Sequence, residues 1–364
     1  MKIWVTGALG FVGRQVTHHA LATGHDVACI VRPLVGNPVQ HEPQSVTLID
    51  PGQHEPSGPG LQPRRAWGER RHVAGSAGAL SKPGAASPHT PQPETSLQSG
   101  SDLPGAGSTA KNSTLAIDLR DVDDLTSLLQ SERPDVVIHL AWYAKPHDYL
   151  TSPENIDSLA CTLQFARAVL KGGCPRFLGV GTCLEYAELP RPRSESDPLD
   201  PKSLYARCKH AAQVVLAELF RESGASLAWA RLFHMHGPGE HPSRLIPSLA
   251  AALRAGRPFA VSPGEQVRDH LDVRDVGSAL VHIAVHPELQ GPVNVCSGKP
   301  VTLRTVLETV GRELGHPELL EFGKRGYMTG EVMNLAGVPN RLFESGWQPA
   351  HGDLAASIRD ALGA

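Results

Sequence analysis

The feature that most constrains the fold is a glycine-rich segment at the start of the chain. A short apolar run, KIWVT, leads directly into TGALGFVG, which places Gly7, Gly10 and Gly13 between a predicted strand and a predicted helix that ends at Gly24. Glycine lets the backbone N–H groups at a helix N-terminus come close to a pyrophosphate. A strand, this loop and a helix in that order predict dinucleotide binding.

Apolar segments recur along the rest of the chain with helical stretches between them. DVACIVR, DVVIHLAW, RFLGVGT and SLAWARLF all read as buried strands. This alternation predicts an α/β fold with a doubly wound parallel sheet of the Rossmann type. We expect an NAD(P)-binding domain at residues 1–236 and a smaller substrate-binding domain at 237–364, with about 272–290 returning to the first domain.

Residues 51–112 break the alternation. This segment holds nine prolines and ten glycines but only six large apolar residues. So little apolar surface cannot offset the entropy lost on ordering the segment, which predicts a disordered insertion that is dispensable for folding. A tolerated surface insertion is favoured over a docking segment for a partner. SVTLID before it and STLAID after it compete for the role of third strand.

Bulk composition excludes several classes of protein. The net charge is −3 and no dense basic run is present, so no nucleic-acid partner is expected. The six cysteines include no Cys-x-x-Cys pair, which argues against a zinc ribbon or a disulfide framework. No apolar stretch approaches the ~20 residues that a membrane span needs. The first predicted strand lies within MKIWVTG, the first seven residues of the sequence. We therefore expect no signal peptide and a cytoplasmic protein.

The end of the second predicted strand bears on the choice of dinucleotide. An NAD site usually carries an acid there, but CIVRP supplies Arg32. A guanidinium suits a 2′-phosphate, so NADP(H) is preferred and NAD(H) remains possible. The alternative is that Arg32 stacks on the adenine or faces solvent. Asp118, in AIDLRD, is a candidate acceptor for the adenine amino group.

The segment YARCK places Tyr205 and Lys209 one helical turn apart, on one face of a helix. Alone, this pair fits any amphipathic surface helix. Beside a dinucleotide it has a chemical use, because a lysine ammonium and an oxidised nicotinamide both favour the phenolate form of a tyrosine, whose pKa is ordinarily near ~10. Thr182 follows a predicted strand and can hydrogen-bond a substrate oxygen near Tyr205.

Taken together, these segments resemble the extended short-chain dehydrogenase/reductase family, over nearly all of the chain except the insertion. The motifs on which this resemblance rests are TGALGFVG, DLRD, VVIHLAW, GVGTCLEY, YARCK, RLFHMHGPG and VRDHLDVRDV. The resemblance implies an NAD(P)-dependent oxidoreductase with Thr182, Tyr205 and Lys209 as its catalytic residues. It implies cofactor contacts from Gly7, Leu9, Gly10, Phe11, Val12, Gly13, Arg32, Asp118, Leu119, Leu140, Ala141, Trp142, Asn155, Tyr205 and Lys209.

The substrate-binding residues that the resemblance implies are Cys183, His234, Arg244 and Arg268. Arg268 matches an arginine that clamps a nucleotide phosphate, and His234 replaces an asparagine that touches the substrate diphosphate. A metal held by His234 and His236 is not favoured, because the sequence places no third ligand. His241 either binds phosphate or covers the surface.

The chain departs from the family's sugar dehydratases. Those enzymes carry Asp-Glu directly after the catalytic threonine, whereas this chain has Cys183 and Leu184. Glu185 comes one position late, and on a strand it would face the other way. Cys183 is either a thiol that contacts substrate or, as we favour, a small buried filler.

We therefore expect an NADPH-dependent ketoreductase acting on a nucleotide-linked (deoxy)sugar. A nucleotide-sugar epimerase that retains NAD is the alternative, and an idle NADP-binding scaffold or sensor is the third candidate. A homodimer is expected through two helices rich in Ala, Leu and Val, around 158–170 and 205–220.

Overall fold

The computed structural model describes residues 1–31 and 110–363. Its strands are β1 (Lys2–Thr6), β2 (Asp26–Val31), β3 (Asn112–Ala116), β4 (Val136–His139), β5 (Arg176–Thr182), β6 (Ser226–Leu232), β7 (His234–His236), β8 (Phe259–Val261), β9 (Val267–Asp272), β10 (Gly291–Val295), β11 (Pro300–Thr302), β12 (Leu320–Phe322) and β13 (Asn334–Leu335). Its helices are α1 (Phe11–Ala22), α2 (Val122–Glu132), α3 (Glu154–Lys171), α4 (Leu204–Ser223), α5 (Leu245–Arg254), α6 (Val273–Val285), α7 (Leu303–Glu313), α8 (Asn340–Glu344) and α9 (Leu354–Leu362).

Seven of the strands form one parallel sheet in the order β10-β6-β5-β4-β1-β2-β3. Successive side chains of a strand point to opposite faces, and β1 shows the result. Ile3 and Val5 join a buried cluster with α1 and α6, whereas Trp4 joins a second cluster with α2, α3 and α4. Helices therefore cover both faces of the sheet, and the predicted doubly wound fold is confirmed.

The third strand of the sheet comes from the sequence after the Gly/Pro-rich segment. β3 contains STLA and pairs in parallel with β2, where Val27 is opposite Asn112 and Val31 is opposite Ala116. The competing segment SVTLID, Arg32 and nearly all of the predicted insertion lie outside the described residues.

The elements after Gly237 contribute to more than one layer. Short strands form two further sheets, one joining β7, β9, β11 and β13 and one joining β8 and β12. α5, α7 and α9 share a separate apolar cluster. In contrast, α6 packs against α1, where a Cβ added at Gly277 would lie 2.7 Å from the backbone of Gln15. We propose that the substrate-binding domain begins near residue 237.

The parallel strands bring their carboxyl ends to one edge of the large sheet. The glycine loop follows β1, Leu140 follows β4, and Thr182 ends β5. Open α/β sheets bind ligands outside this edge. Among residues 1–31 and 110–363, no helix has the length and apolar character needed to span a bilayer.

Candidate active site

The glycine loop packs backbone against backbone. Gly7 has a φ of +69°, and a Cβ there would lie 2.9 Å from the backbone nitrogen of Ala141 at the end of β4. A Cβ at Gly13 would lie only 2.1 Å from the carbonyl oxygen of Gly7. Gly10 N donates to the same oxygen at 3.0 Å. The loop therefore requires glycine at positions 7 and 13 for its own geometry.

The N-terminus of α1 is open to an anion. Its N-cap, Gly10, has no side chain to satisfy the first N–H groups, and the first turn contains no acidic residue. Uncapped N–H groups at a helix N-terminus attract phosphate. Leu9 is exposed, and Phe11 and Val12 are half-buried beside it. A tight glycine cradle and an uncapped helix fit the pyrophosphate of a dinucleotide.

The expected adenine contact is paired with a neighbouring arginine. The Asp118 carboxylate accepts hydrogen bonds from Arg120 Nε at 2.9 and 3.1 Å and from Arg120 Nη2 at 2.5 Å. Leu119 is half-buried against the core. An adenine amino group that donates to Asp118 would therefore share the Asp118 carboxylate with Arg120.

The three predicted catalytic residues meet where β5 ends beside the first turn of α4. Thr182 is the last residue of β5, and Ser203 caps α4 through a 3.2 Å bond from Ala206 N. Tyr205 lies half-buried in the first turn of α4. Lys209, 4% exposed, donates from Nζ to the Val180 carbonyl at 2.7 Å. Sequence spacing and sheet topology thus bring acid, ammonium and hydroxyl to one place.

Burial shifts the protonation of this group. It lowers the pKa of Lys209 to about 7, an effect that the nearby charge of Glu185 partly offsets. Burial also raises the pKa of Tyr205, and the neighbouring Tyr149 phenol adds to the rise, whereas a hydrogen bond with Thr182 acts in the opposite direction. The Tyr205 phenol therefore holds its proton at neutral pH, and its pKa is shifted away from the phenolate that the sequence led us to expect beside Lys209.

An aromatic side chain covers the lysine. Lys209 Nζ lies 3.9 Å from the centroid of the Trp142 ring, a cation–π distance. The Trp142 indole N–H donates to Asn155 Oδ1 at 2.9 Å, and the Asn155 amide donates to the carbonyls of Tyr149 at 2.6 Å and Ser152 at 2.8 Å. The fully buried Asn155 thus positions Trp142 and the loop before α3.

The carboxylate of Glu185 points into the protein. A short 3-10 turn at Cys183–Glu185 follows β5, and Glu185 is fully buried there. It accepts from Thr182 N at 2.9 Å and pairs with Arg231 Nε at 2.9 Å. Glu185 therefore fixes the end of β5, on a turn rather than on the strand considered from the sequence. Burial raises the pKa of the Cys183 thiol to about 12.

Two of the four residues expected to bind substrate, His234 and Arg268, lie on the paired strands β7 and β9. His234 lies opposite His270 in the strand register, with ring centroids 5.6 Å apart. Burial, followed by the charges of Arg268 and Arg244, lowers the pKa of His234 to about 3, so its ring is neutral. Arg268 donates to Glu331 Oε1 at 2.8 Å. The charges of Arg268 and Arg244 therefore both reach the ring of His234.

Two other histidines, His236 and His241, lie within hydrogen-bond distance of serine side chains. His236 Nε2 lies 2.8 Å from Ser357 Oγ, and His241 Nδ1 lies 2.8 Å from Ser243 Oγ in an exposed loop. Within residues 1–31 and 110–363, no group of three His, Cys, Asp or Glu side chains is arranged to hold a metal ion.

Three residues that the sequence did not single out lie near this site. Tyr149 packs edge-on against Tyr205, with ring centroids 5.0 Å apart. Glu331 pairs with Arg268, and Glu240 has a pKa raised to about 7 by burial, which the charge of Arg244 partly offsets. Tyr149 and Glu331 reach the site from loops distant in sequence, whereas Glu240 lies in the same short segment as His234 and Arg244.

Comparison with known proteins bears on the family of this chain. The model of the NAD dependent epimerase/dehydratase family matches residues 87–296. A GDP-6-deoxy-D-mannose reductase from Pseudomonas aeruginosa is 30% identical over 247 residues, which cover 64% of this chain and 80% of the reductase. A dTDP-glucose 4,6-dehydratase from Mycolicibacterium smegmatis is 27% identical over 240 residues, or 63% of this chain and 71% of the dehydratase.

Solved structures share the fold. The UDP-glucose 4-epimerase of Thermus thermophilus in complex with NAD superposes with a TM-score of 0.69 at 21% identity, covering 100% of this chain and 98% of that one. At this identity the likeness concerns the fold alone.

Proposed function

Since the chain belongs to the NAD-dependent epimerase/dehydratase family, we propose that it is a ketoreductase that uses NADPH to reduce a keto group of a nucleotide-activated deoxysugar. The observation that carries this proposal is that Tyr205, in the first turn of α4, lies beside Thr182 at the end of β5. Tyr205 keeps its proton there beside Lys209 and Thr182, and the residues after Thr182 supply no second acid or base that faces the site.

Dehydration needs an additional acid and base, and the three positions after Thr182 do not provide them. The buried Cys183 thiol, with a pKa of about 12, stays protonated at neutral pH, and Leu184 cannot ionise. The Glu185 carboxylate is committed to Arg231 in the interior. Elimination of water is therefore disfavoured, and reduction or epimerisation remains.

In the proposed reaction Thr182, Tyr205 and Lys209 have different tasks. The nicotinamide, when bound, supplies the hydride. Thr182 hydrogen-bonds the keto oxygen, and Tyr205 gives its proton to that oxygen as the alcohol forms. Lys209 would hold the nicotinamide ribose and, as an ammonium, would favour the phenolate that remains on Tyr205 after proton transfer.

The preference for NADPH rests on Arg32. Arg32 follows the last residue of β2 in the sequence, and a guanidinium can form charge-assisted hydrogen bonds with a 2′-phosphate. Arg32→Ala should therefore weaken NADPH binding by about tenfold or more, with little change for NADH. Dissociation constants of both cofactors, measured by fluorescence on parent and variant, check this. Equal losses for the two cofactors would contradict the preference.

We also propose that the protein is a homodimer that pairs α3 and α4 of two copies. Ile156 on α3 and Val214 and Val215 on α4 are 55%, 55% and 48% exposed. A monomeric mass by light scattering at micromolar concentration would contradict this proposal.

The direct test of the proposed activity uses purified protein, NADPH and a panel of GDP-, dTDP- and UDP-linked 4-keto-6-deoxy sugars. We expect loss of absorbance at 340 nm with at least one compound and a reduced sugar nucleotide as product. Tightly bound NAD that co-purifies, with UDP-glucose isomerised and no NADPH consumed, would instead show an epimerase.

A further inference from the structure

The loop between β4 and α3 is fixed at several points near the catalytic residues. Tyr149 N donates to the Lys145 carbonyl at 3.2 Å, and the Tyr149 carbonyl accepts from the buried Asn155 amide at 2.6 Å. The next carbonyl, that of Leu150, accepts from Tyr205 N at 3.1 Å. The backbone of this loop is therefore bound to α3 and to the start of α4, and Tyr149 has a defined position.

The ring of Tyr149 contacts both Tyr205, the proposed acid, and the guanidinium of Arg244. It meets the Tyr205 ring at 5.0 Å and 84°, an edge-to-face contact. The Arg244 guanidinium lies 5.4 Å from the centroid of the same ring. A sugar whose keto carbon faces Tyr205 and whose diphosphate faces Arg244 would have to pass along Tyr149.

The hydroxyl of Tyr149 does not hold any other group in place within the part of the chain that the structure describes. It makes no hydrogen bond to any residue within 1–31 or 110–363, although its phenol lies near enough to Tyr205 to raise that residue's pKa. In the same loop, the hydroxyl of Tyr143 donates to Asp148 at 2.9 Å. A tyrosine with a packed ring and an unused hydroxyl provides a polar contact for a polyhydroxylated ligand.

We propose that Tyr149 determines substrate specificity by contacting the sugar itself. Its hydroxyl hydrogen-bonds a hydroxyl group of the sugar, and its ring sets the angle at which the keto oxygen meets Tyr205. This inference rests on the proposed function, because it requires a nucleotide-linked sugar in the site.

The test compares two single-atom deletions in one loop. Tyr149→Phe and Tyr143→Phe each remove one phenolic oxygen and keep the ring, so both should fold, which melting temperatures check. Calorimetry would then measure binding of UDP-, dTDP- and GDP-linked sugars and of UDP, dTDP and GDP alone. We expect Tyr149→Phe to weaken the tightest sugar nucleotide by about tenfold and its nucleoside diphosphate by less than twofold. Tyr143→Phe should change neither.

A second variant separates the ring from the hydroxyl. Tyr149→Leu should lose the same affinity for the sugar and should also lower kcat, because the keto oxygen is no longer aligned with Tyr205. Equal binding by Tyr149→Phe and the parent, or an equal loss for sugar nucleotide and bare diphosphate, would overturn the role of Tyr149. A parent protein that binds no sugar nucleotide would overturn the proposed function and this inference with it.

Discussion

The two sides of the active site are built in different ways. The cofactor side, comprising residues 7–13, Thr182, Tyr205 and Lys209, relies on close backbone packing and on side chains one helical turn apart. The substrate side consists of polar side chains from separate loops and strands, namely Tyr149, His234, Glu240, Arg244, Arg268, His270 and Glu331. The first side is held by contacts of the backbone and of Lys209, whereas the second includes an arginine that is paired with a carboxylate.

The largest expected effect separates chemistry from binding on the cofactor side. Tyr205→Phe keeps the ring and its packing but removes the proton, so turnover should fall by roughly 10²–10⁴. NADPH affinity, measured by fluorescence titration, should remain nearly unchanged. A variant as fast as the parent would show that the cofactor side does not contain the acid.

The next effect tests whether backbone packing defines the cofactor side. Gly13→Ala would place a Cβ 2.1 Å from the Gly7 carbonyl oxygen, whereas Gly10→Ala would place one at 3.2 Å from the same atom. Forced overpacking costs about 1–3 kcal/mol. Gly13→Ala should therefore lower the melting temperature of the apo protein by several degrees, and by more than Gly10→Ala does. Similar melting temperatures for the two variants would contradict this picture of the loop.

A smaller effect concerns the aromatic cover of Lys209. A cation–π contact contributes about 0.5–2 kcal/mol to the charged form, which corresponds to roughly 0.4–1.5 pKa units. Trp142→Leu should therefore lower the pKa of Lys209 further below its value of about 7. Because the ammonium is the active form, activity is lost as pH rises through this pKa, and the variant should lose it at lower pH.

The control for this prediction is Trp142→Phe, which keeps an aromatic face. Its pH profile for kcat/KM should lie between those of the parent and of Trp142→Leu. Parallel profiles for all three proteins, differing only in height, would show that Trp142 acts through packing alone.

The smallest effect concerns the substrate side and is a gain in binding, whereas the preceding effects are losses of activity or stability. Arg268 is paired with Glu331 at 2.8 Å, so a bound diphosphate has to compete with that carboxylate. Glu331→Gln should strengthen binding of UDP, dTDP or GDP by about two- to fivefold at low salt, and less at high salt. Weaker binding in calorimetry would show instead that Glu331 orients Arg268 for its ligand.

The cofactor side could be predicted from the sequence because its signals are local. The spacing of Gly7, Gly10 and Gly13 and the one-turn spacing of Tyr205 and Lys209 each lie within eight residues or fewer. The alternation of strands and helices then predicts that these segments meet at one edge of the sheet. The alternation left SVTLID and STLAID as alternatives for the third strand, and the structure forms that strand from STLA.

The substrate side could not be derived in this way. Tyr149 reaches Tyr205 across 56 positions through the hydrogen bond from Tyr205 N to the Leu150 carbonyl, and Glu331 reaches Arg268 across 63 positions. Such pairings depend on how loops cross the edge of the sheet. The burial of Glu185 also depended on a 3-10 turn and on Arg231 from a neighbouring strand.

The fate of a labelled hydride tests the proposed activity most directly. Purified protein would be incubated with NADPH carrying deuterium at the transferring position of C4, together with the keto-sugar nucleotide that binds most tightly. We predict one deuterium on a carbon of the sugar product for each NADPH consumed, as measured by mass spectrometry. A product that forms without deuterium and without consumption of NADPH would contradict the reductase and favour an epimerase.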